Sequence, residues 1–304
     1  MKTFVCISRK GGVGKTTVAF NIAMGIPYVL SSADVTGKSR PRVLVIDLDP
    51  QRDLTKSFLG DELVNAGEIE RNVYDFLTCD NDAATLMTCV HRMRLCDVIP
   101  GSTLKNDVLN LLASKPLLLR DRLAVIGKMY DACIIDLPPA RDAVSIGALL
   151  ASDYAIPCTD MEPRGADGVM DTMTDIKGIK KEFNIDVMVP FIAVKSEPAE
   201  LYSDDDVEWL KTRLAKYTSA SPWLIQYDSK LIRDSMISNQ LIYYFARKRL
   251  TRIFAHICVT LVVYYLGGDL REPGYAPFTY YYDVTRTAFE KAKKKMKSKR
   301  GDKQ

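Results

Sequence analysis

The sequence predicts an α/β fold, doubly wound around a mostly parallel sheet, and three observations carry that prediction. Short, nearly continuous apolar runs alternate with stretches of helical periodicity, as expected for strands covered on both faces. A glycine-rich loop, "SRKGGVGKTT" (Ser8 to Thr17), stands between the first apolar run and the first helical stretch. Later apolar runs end in aspartates, and in such sheets ligands gather at the C-terminal ends of the strands.

The elements follow in order. "KTFVCIS" reads as a buried strand, and "TTVAFNIAMGI" then carries apolar residues at helical spacing. "RVLVIDLDP" and "DACIIDLPP" are further buried strands ending in acids, and "YAIPC" and "VMVPFIAV" read as a fourth and fifth. Helical stretches separate them at roughly 55–77, 105–129, 142–151, 166–183 and 204–217. "IFAHICVTLVVYYL" (Ile253 to Leu266) is short for a membrane span and reads as a buried helix. The expected main domain spans residues 1–266. Residues 267–304 form an irregular Tyr-containing linker and a Lys-rich basic tail.

Composition narrows the class. The chain has 304 residues, 47% hydrophobic and 26% charged, enough to bury a full core. Its net charge of +4 is uneven: from Gly267 onward ten Lys/Arg face five Asp/Glu, so the preceding residues are slightly acidic. The N-terminus begins with a strand and shows no signal peptide. Seven scattered cysteines without a C-x-x-C pair fit reduced core thiols of a cytosolic protein and give a metal cluster no support.

The loop carries the chemistry. Gly14-Lys15-Thr16 closes a phosphate-binding loop: backbone N–H groups cradle phosphate oxygens, the lysine reaches the β- and γ-phosphates, and the threonine hydroxyl reaches Mg²⁺. Arg9 stands where the usual pattern has its first glycine, and Lys10 is a second lysine the usual chemistry does not need. Asp47, Asp49 and Asp136 end two strands beside this loop. They supply carboxylates to hold the metal and to orient an attacking water.

Together "KGGVGKTT", "VLVIDLDPQ" and "YDACIIDLPP" resemble the ParA/MinD family of deviant-Walker P-loop ATPases over roughly residues 1–160, and ParA proteins of the Soj type most closely. The resemblance implies that Gly11, Gly12, Val13, Gly14, Lys15, Thr16 and Thr17 bind ATP, and that Thr16, Asp47 and Asp136 lie on the Mg²⁺ side. It implies that Asp49 positions the attacking water. Lys10 matches the lysine that reaches, in a nucleotide-sandwich homodimer, the phosphates bound by the other subunit. Arg52-Asp53 replaces a frequent Gly-Asn, and Lys195 and Gln226 stand where Asn and Pro often lie near the base.

The family also implies cargo. "IQYDSKLIRDSMISNQLI" is similar to the stretch of ParA in which a basic residue opens a DNA-facing helix; Lys230 matches it, with Arg233 nearby. "ARKRLTR" adds Arg247, Lys248, Arg249 and Arg252, a basic stripe of the kind that meets DNA phosphates without reading sequence. The implied function is a DNA-partitioning ATPase. Its dimers bind non-specific double-stranded DNA, a ParB-like centromere-binding protein stimulates hydrolysis, and the protein is cytoplasmic and nucleoid-associated. The chain also starts at its first strand, without the N-terminal DNA-binding extension of larger ParA proteins. The alternative is a MinD-type membrane-associated ATPase. That reading needs a tail with an apolar face, and after Phe289 the tail offers only Ala292 and Met296, so no stable membrane insertion is expected.

Overall fold

A computed structural model describes residues 1–32, 42–196, 204–215, 219–220 and 222–226, with single positions at 234, 236, 254, 257, 258, 261 and 266. Ten α-helices and eight strands are assigned among them. The strands are β1 (Lys2–Ile7), β2 (Val43–Asp47), β3 (His91–Arg92), β4 (Asp97–Ile99), β5 (Ala132–Asp136), β6 (Tyr154–Asp160), β7 (Ile192–Ser196) and β8 (Pro222–Gln226). They lie in the order β3-β4-β2-β5-β1-β6-β7-β8. Every pairing is parallel except the short β3–β4 pair. The expected doubly wound sheet is therefore present, with β1 at its centre between β5 and β6.

Side chains along the central strands alternate between two apolar layers, as a pleated strand requires. Val5, Ile7, Leu44, Ile46, Cys133 and Ile135 point into one layer. Phe4, Cys6, Val43, Val45, Ala132 and Ile134 point into the other. The first layer is closed by α4 (Val73–Thr78), α6 (Lys105–Ser114), α7 (Leu118–Ile126), α8 (Ala143–Leu150) and α9 (Pro163–Phe183), and Leu210 and Leu214 of α10 (Asp204–Leu214) also reach it. The second is closed by α1 (Lys15–Ser32) and α2 (Asp53–Leu59). Phe254, Ile257, Cys258 and Leu261 join this second layer fully buried, at the spacing of one helix face. The Cys258 thiol contacts the Asn21 carbonyl of α1. The apolar run at 253–266 thus packs inside the fold at its described positions. Among the described residues no helix is long and apolar enough to cross a membrane.

Two expected helices are subdivided. The stretch 55–77 is α2, α3 (Asp61–Ala66) and α4, because Gly60 (φ 90°) and Gly67 (φ 73°) leave the helical region at the breaks. The stretch 105–129 divides into α6, α7 and a 3₁₀ turn at Gly127–Met129, with Pro116 in the gap between the two helices. The antiparallel pair β3–β4, the strand β8 and the helix α5 (Ala83–Met87) add to the elements expected from the sequence.

Candidate nucleotide-binding site

The loop joining β1 to α1 turns where its glycines permit. Gly12 (φ 74°) and Gly14 (φ 86°) occupy the left-handed region that L side chains rarely adopt. Each has open space around an added Cβ, so backbone conformation, not crowding, requires glycine there. Val13 is buried between them and anchors the loop to the core. The Gly14 carbonyl accepts from Val18 N at 2.9 Å, which starts α1 directly behind the loop. The free N–H groups of the first turn of α1 thus face the loop, the arrangement that receives a phosphate.

The two lysines part company. Lys15 is buried, 6% exposed, and its Nζ donates back to the Lys10 carbonyl at 3.4 Å. Lys10 turns away to the end of β6, donating from Nζ to Asp160 Oδ2 at 2.6 Å and to Glu162 Oε2 at 2.7 Å. Thr16 Oγ1 donates to Asp136 Oδ2 at 2.7 Å, and Thr17 is buried in the first turn of α1.

The three sequence-identified acids meet this loop in different ways. Asp136 and Asp47 are register partners at the ends of β5 and β2, both fully buried. Asp47 organises its own loop: Oδ1 accepts from Asp49 N at 3.0 Å, and Oδ2 accepts from Thr55 N at 2.9 Å and Thr55 Oγ1 at 2.7 Å. Asp49 is half-buried and caps the turn by accepting from Gln51 N at 2.9 Å. The turn ends at Arg52 (φ 57°), whose left-handed backbone starts α2. Asp136 keeps Oδ1 buried without a hydrogen-bond partner among the described residues.

Burial and the neighbouring Asp47 charge push the Asp136 carboxyl up to about 8, against the lowering effects of Thr16 and Lys15. Burial also pushes Asp47 up to about 6. A pair of buried carboxyls reluctant to ionise, one with an open oxygen beside a threonine hydroxyl, fits a divalent cation. Among the described residues no group of three or more His, Cys, Asp or Glu could enclose a metal. A threonine hydroxyl beside one carboxylate suits Mg²⁺, which takes few protein ligands and keeps water and phosphate oxygens in its shell.

A small pocket beside the loop is lined by Val13, Thr17, Val18, Ala193, Lys195 and Ile225. Lys195 reaches the Gly12 carbonyl at 3.4 Å from the end of β7. The strand β8 ends at Gln226, next to Lys195 and Ser196 in the sheet register. Lys230, Arg233, Arg247, Lys248, Arg249 and Arg252 lie outside the described residues, as does 267–304.

The sequence reading did not single out Asp160 and Glu162, the acids that hold Lys10. Asp160 ends an apolar strand just as Asp47 and Asp136 do, and that pattern was the available signal.

Fold and site together define a P-loop nucleotide-binding protein with two lysines in its loop. A family model described as an AAA domain matches residues 1–189. The chain is 31% identical over 191 residues to the sporulation initiation inhibitor protein Soj of Bacillus subtilis (strain 168), covering 62% of this chain and 70% of Soj. It is 33% identical over 168 residues to a virulence plasmid ParA family protein of Chlamydia psittaci, covering 54% and 58% of the two chains. The structure of a Cyanothece McdA variant in complex with ATP superimposes with a TM-score of 0.71 at 23% identity, over 90% of this chain and 99% of that one. This chain belongs to the ParA/MinD family of deviant-Walker P-loop ATPases, on the side of the Soj-type partition proteins.

Proposed function

We propose that this protein is an ATP-dependent partition ATPase. It pairs with a second copy when ATP is bound, holds non-specific DNA in that state, and hydrolyses ATP when a centromere-binding partner stimulates it. The observation that carries the reading is the divergence of the two loop lysines. Lys15 is buried behind the loop, while Lys10 reaches outward to Asp160 and Glu162. A lysine at the outer edge serves phosphates presented from outside this subunit, and ATP then works as a switch for pairing. The similarity to a chromosome partitioning protein ParA of Myxococcus xanthus, 30% identical over 186 residues, supports the assignment to partition.

In this reading the backbone N–H groups of Gly11 to Thr17 receive the phosphates and Lys15 neutralises them from within. Thr16 and Asp136 hold Mg²⁺, whose positive charge offsets that of the phosphates. Asp49 orients the attacking water, and Asp47 keeps Asp49 in place through the backbone bond at Asp49 N. Lys230, Arg233, Arg247, Lys248, Arg249 and Arg252 make the DNA surface, binding phosphates without base readout.

The direct test is retention of the purified protein on random-sequence duplex DNA with Mg·ATP and with Mg·ADP at one moderate salt concentration. Retention with ATP alone is expected. Equal retention with both nucleotides would show a surface that the nucleotide does not control. Absence of retention with either would refute the DNA reading, and anionic vesicles would then test the MinD-type alternative.

A further inference from the structure

Arg9 precedes Lys10 at the leading edge of the phosphate loop, yet its side chain turns from the loop to α9. Nε donates to Asp175 Oδ2 at 2.5 Å and Nη2 donates to Asp175 Oδ1 at 2.6 Å, a two-pronged guanidinium–carboxylate bond. Arg141, in the loop after β5, brings Nη1 to 3.2 Å from the same Oδ1. Asp171, one turn earlier on α9, lies 3.7 Å from Arg9 Nη1. The Asp175 side chain is only 7% exposed, against 35% for Arg9 and 55% for Arg141. One buried carboxylate in mid-helix thus joins three pieces of chain: the phosphate loop, the loop after β5 and α9.

Stability alone does not call for such a group. Removing charges from water costs as much as their attraction returns, and apolar replacements of buried ion pairs are often as stable. What the arrangement fixes is geometry. The elements bordering the same two loops are joined a second time where Thr16 Oγ1, at the start of α1, donates to Asp136 Oδ2, at the end of β5. A cation held by Thr16 and Asp136 would claim those oxygens, so that junction changes when the site is loaded. The junction at Asp175 uses neither residue and persists.

We infer that Asp175 is a positioning residue for nucleotide binding. It holds Arg9, and through Arg141 the loop after β5, so that the N–H groups of residues 11–17 stay aimed at the phosphates. The inference rests on the reading that this loop binds ATP. Simple electrostatics gives the opposite sign. Deleting a carboxylate and freeing two guanidinium groups near a polyphosphate would tighten binding, whereas loss of preorganisation weakens it. The direction of the change therefore decides.

Full-length Asp175→Asn, Arg9→Gln and the double variant would be titrated with mant-ADP and Mg²⁺ by fluorescence anisotropy. Thermal unfolding without nucleotide would be followed in parallel. Each single variant is expected to bind about tenfold more weakly with its unfolding midpoint nearly unchanged, and the double variant less weakly than the product of the two effects. Asp175→Glu should recover part of the affinity. Unchanged or tighter binding by folded Asp175→Asn would overturn the inference. Should that variant fail to fold, Arg9→Lys, which keeps the charge but loses the two-pronged bond, decides: weaker binding supports the inference and unchanged or tighter binding overturns it. Wild-type protein that fails to bind mant-ADP would overturn the parent reading, and this one with it, before any variant is compared.

Discussion

At the scale of single residues, the chemistry rests on where each charge is anchored. Lys10→Ala removes the ammonium held by Asp160 and Glu162 but leaves Lys15, Thr16 and the glycine turns intact. Mg·ATP binding should stay within about threefold of wild type while the ATP-induced dimer disappears, as light scattering would show; a tenfold loss of affinity is only ~1.4 kcal/mol. A normal dimer would remove Lys10 from the pairing role. Asp49→Ala should leave binding intact and reduce partner-stimulated turnover by about a hundredfold or more, the range of a lost general-base or water-positioning group; phosphate release at wild-type rate would contradict it. The buried acids make a third prediction. Both folded-state values, about 6 for Asp47 and about 8 for Asp136, lie above the ordinary 3.8. The folded chain therefore holds these protons more tightly than the unfolded chain, and this contribution is complete below the unfolded value and lost as pH rises through the folded ones. Without nucleotide and in a chelator, the urea midpoint should fall from about pH 4 to about pH 8, more steeply below about pH 6 where both acids contribute. Asp136→Asn should flatten the upper part of that fall.

At the scale of elements, strands were more legible than breaks. β2 and β5 are fully apolar before their terminal acids, and β1 is apolar from Phe4 to Ile7, because a strand covered on both faces has no polar side to show. β3 has two residues and β4 three, too few for any periodicity, and their pairing comes from tertiary context. The subdivision of 55–77 was written in Gly60 and Gly67, whose positive φ values interrupt an otherwise continuous helical pattern. In the site, the loop and its acids could be read from local motifs. The companions of Lys10 and Arg9 could not, because Asp160 and Asp175 lie about 150 residues or more along the chain and meet the loop only through the β1–β6 pairing and the packing of α9. The apolar run at 253–266 offers an element-scale prediction. Phe254 is fully buried in the layer that contains α1, so Phe254→Ala should cost about 3–5 kcal/mol. Chemical denaturation would measure it, and a loss below about 1 kcal/mol would show that this segment is dispensable to the core.

At the scale of the whole molecule, the sheet order places the functional loops. With β1 between β5 and β6, the ends of three adjacent strands deliver Lys10, Asp136 and Asp160 to one edge, and β2 adds Asp47 and Asp49 beside them. The DNA surface proposed for the basic residues belongs to this scale. Replacing Lys230 and Arg249 together by glutamate should weaken ATP-dependent DNA retention and reduce the slope of log affinity against log salt by about two. An unchanged slope would place the DNA surface elsewhere. The opposite margin of the sheet has its own consequence. The strand at that margin is β3, two residues long and running against its neighbour. A foreign strand docking there would find almost no ladder to copy, so among the described residues this side of the sheet offers little to another chain. Crowding many copies together then carries little risk of fusing their sheets along this margin.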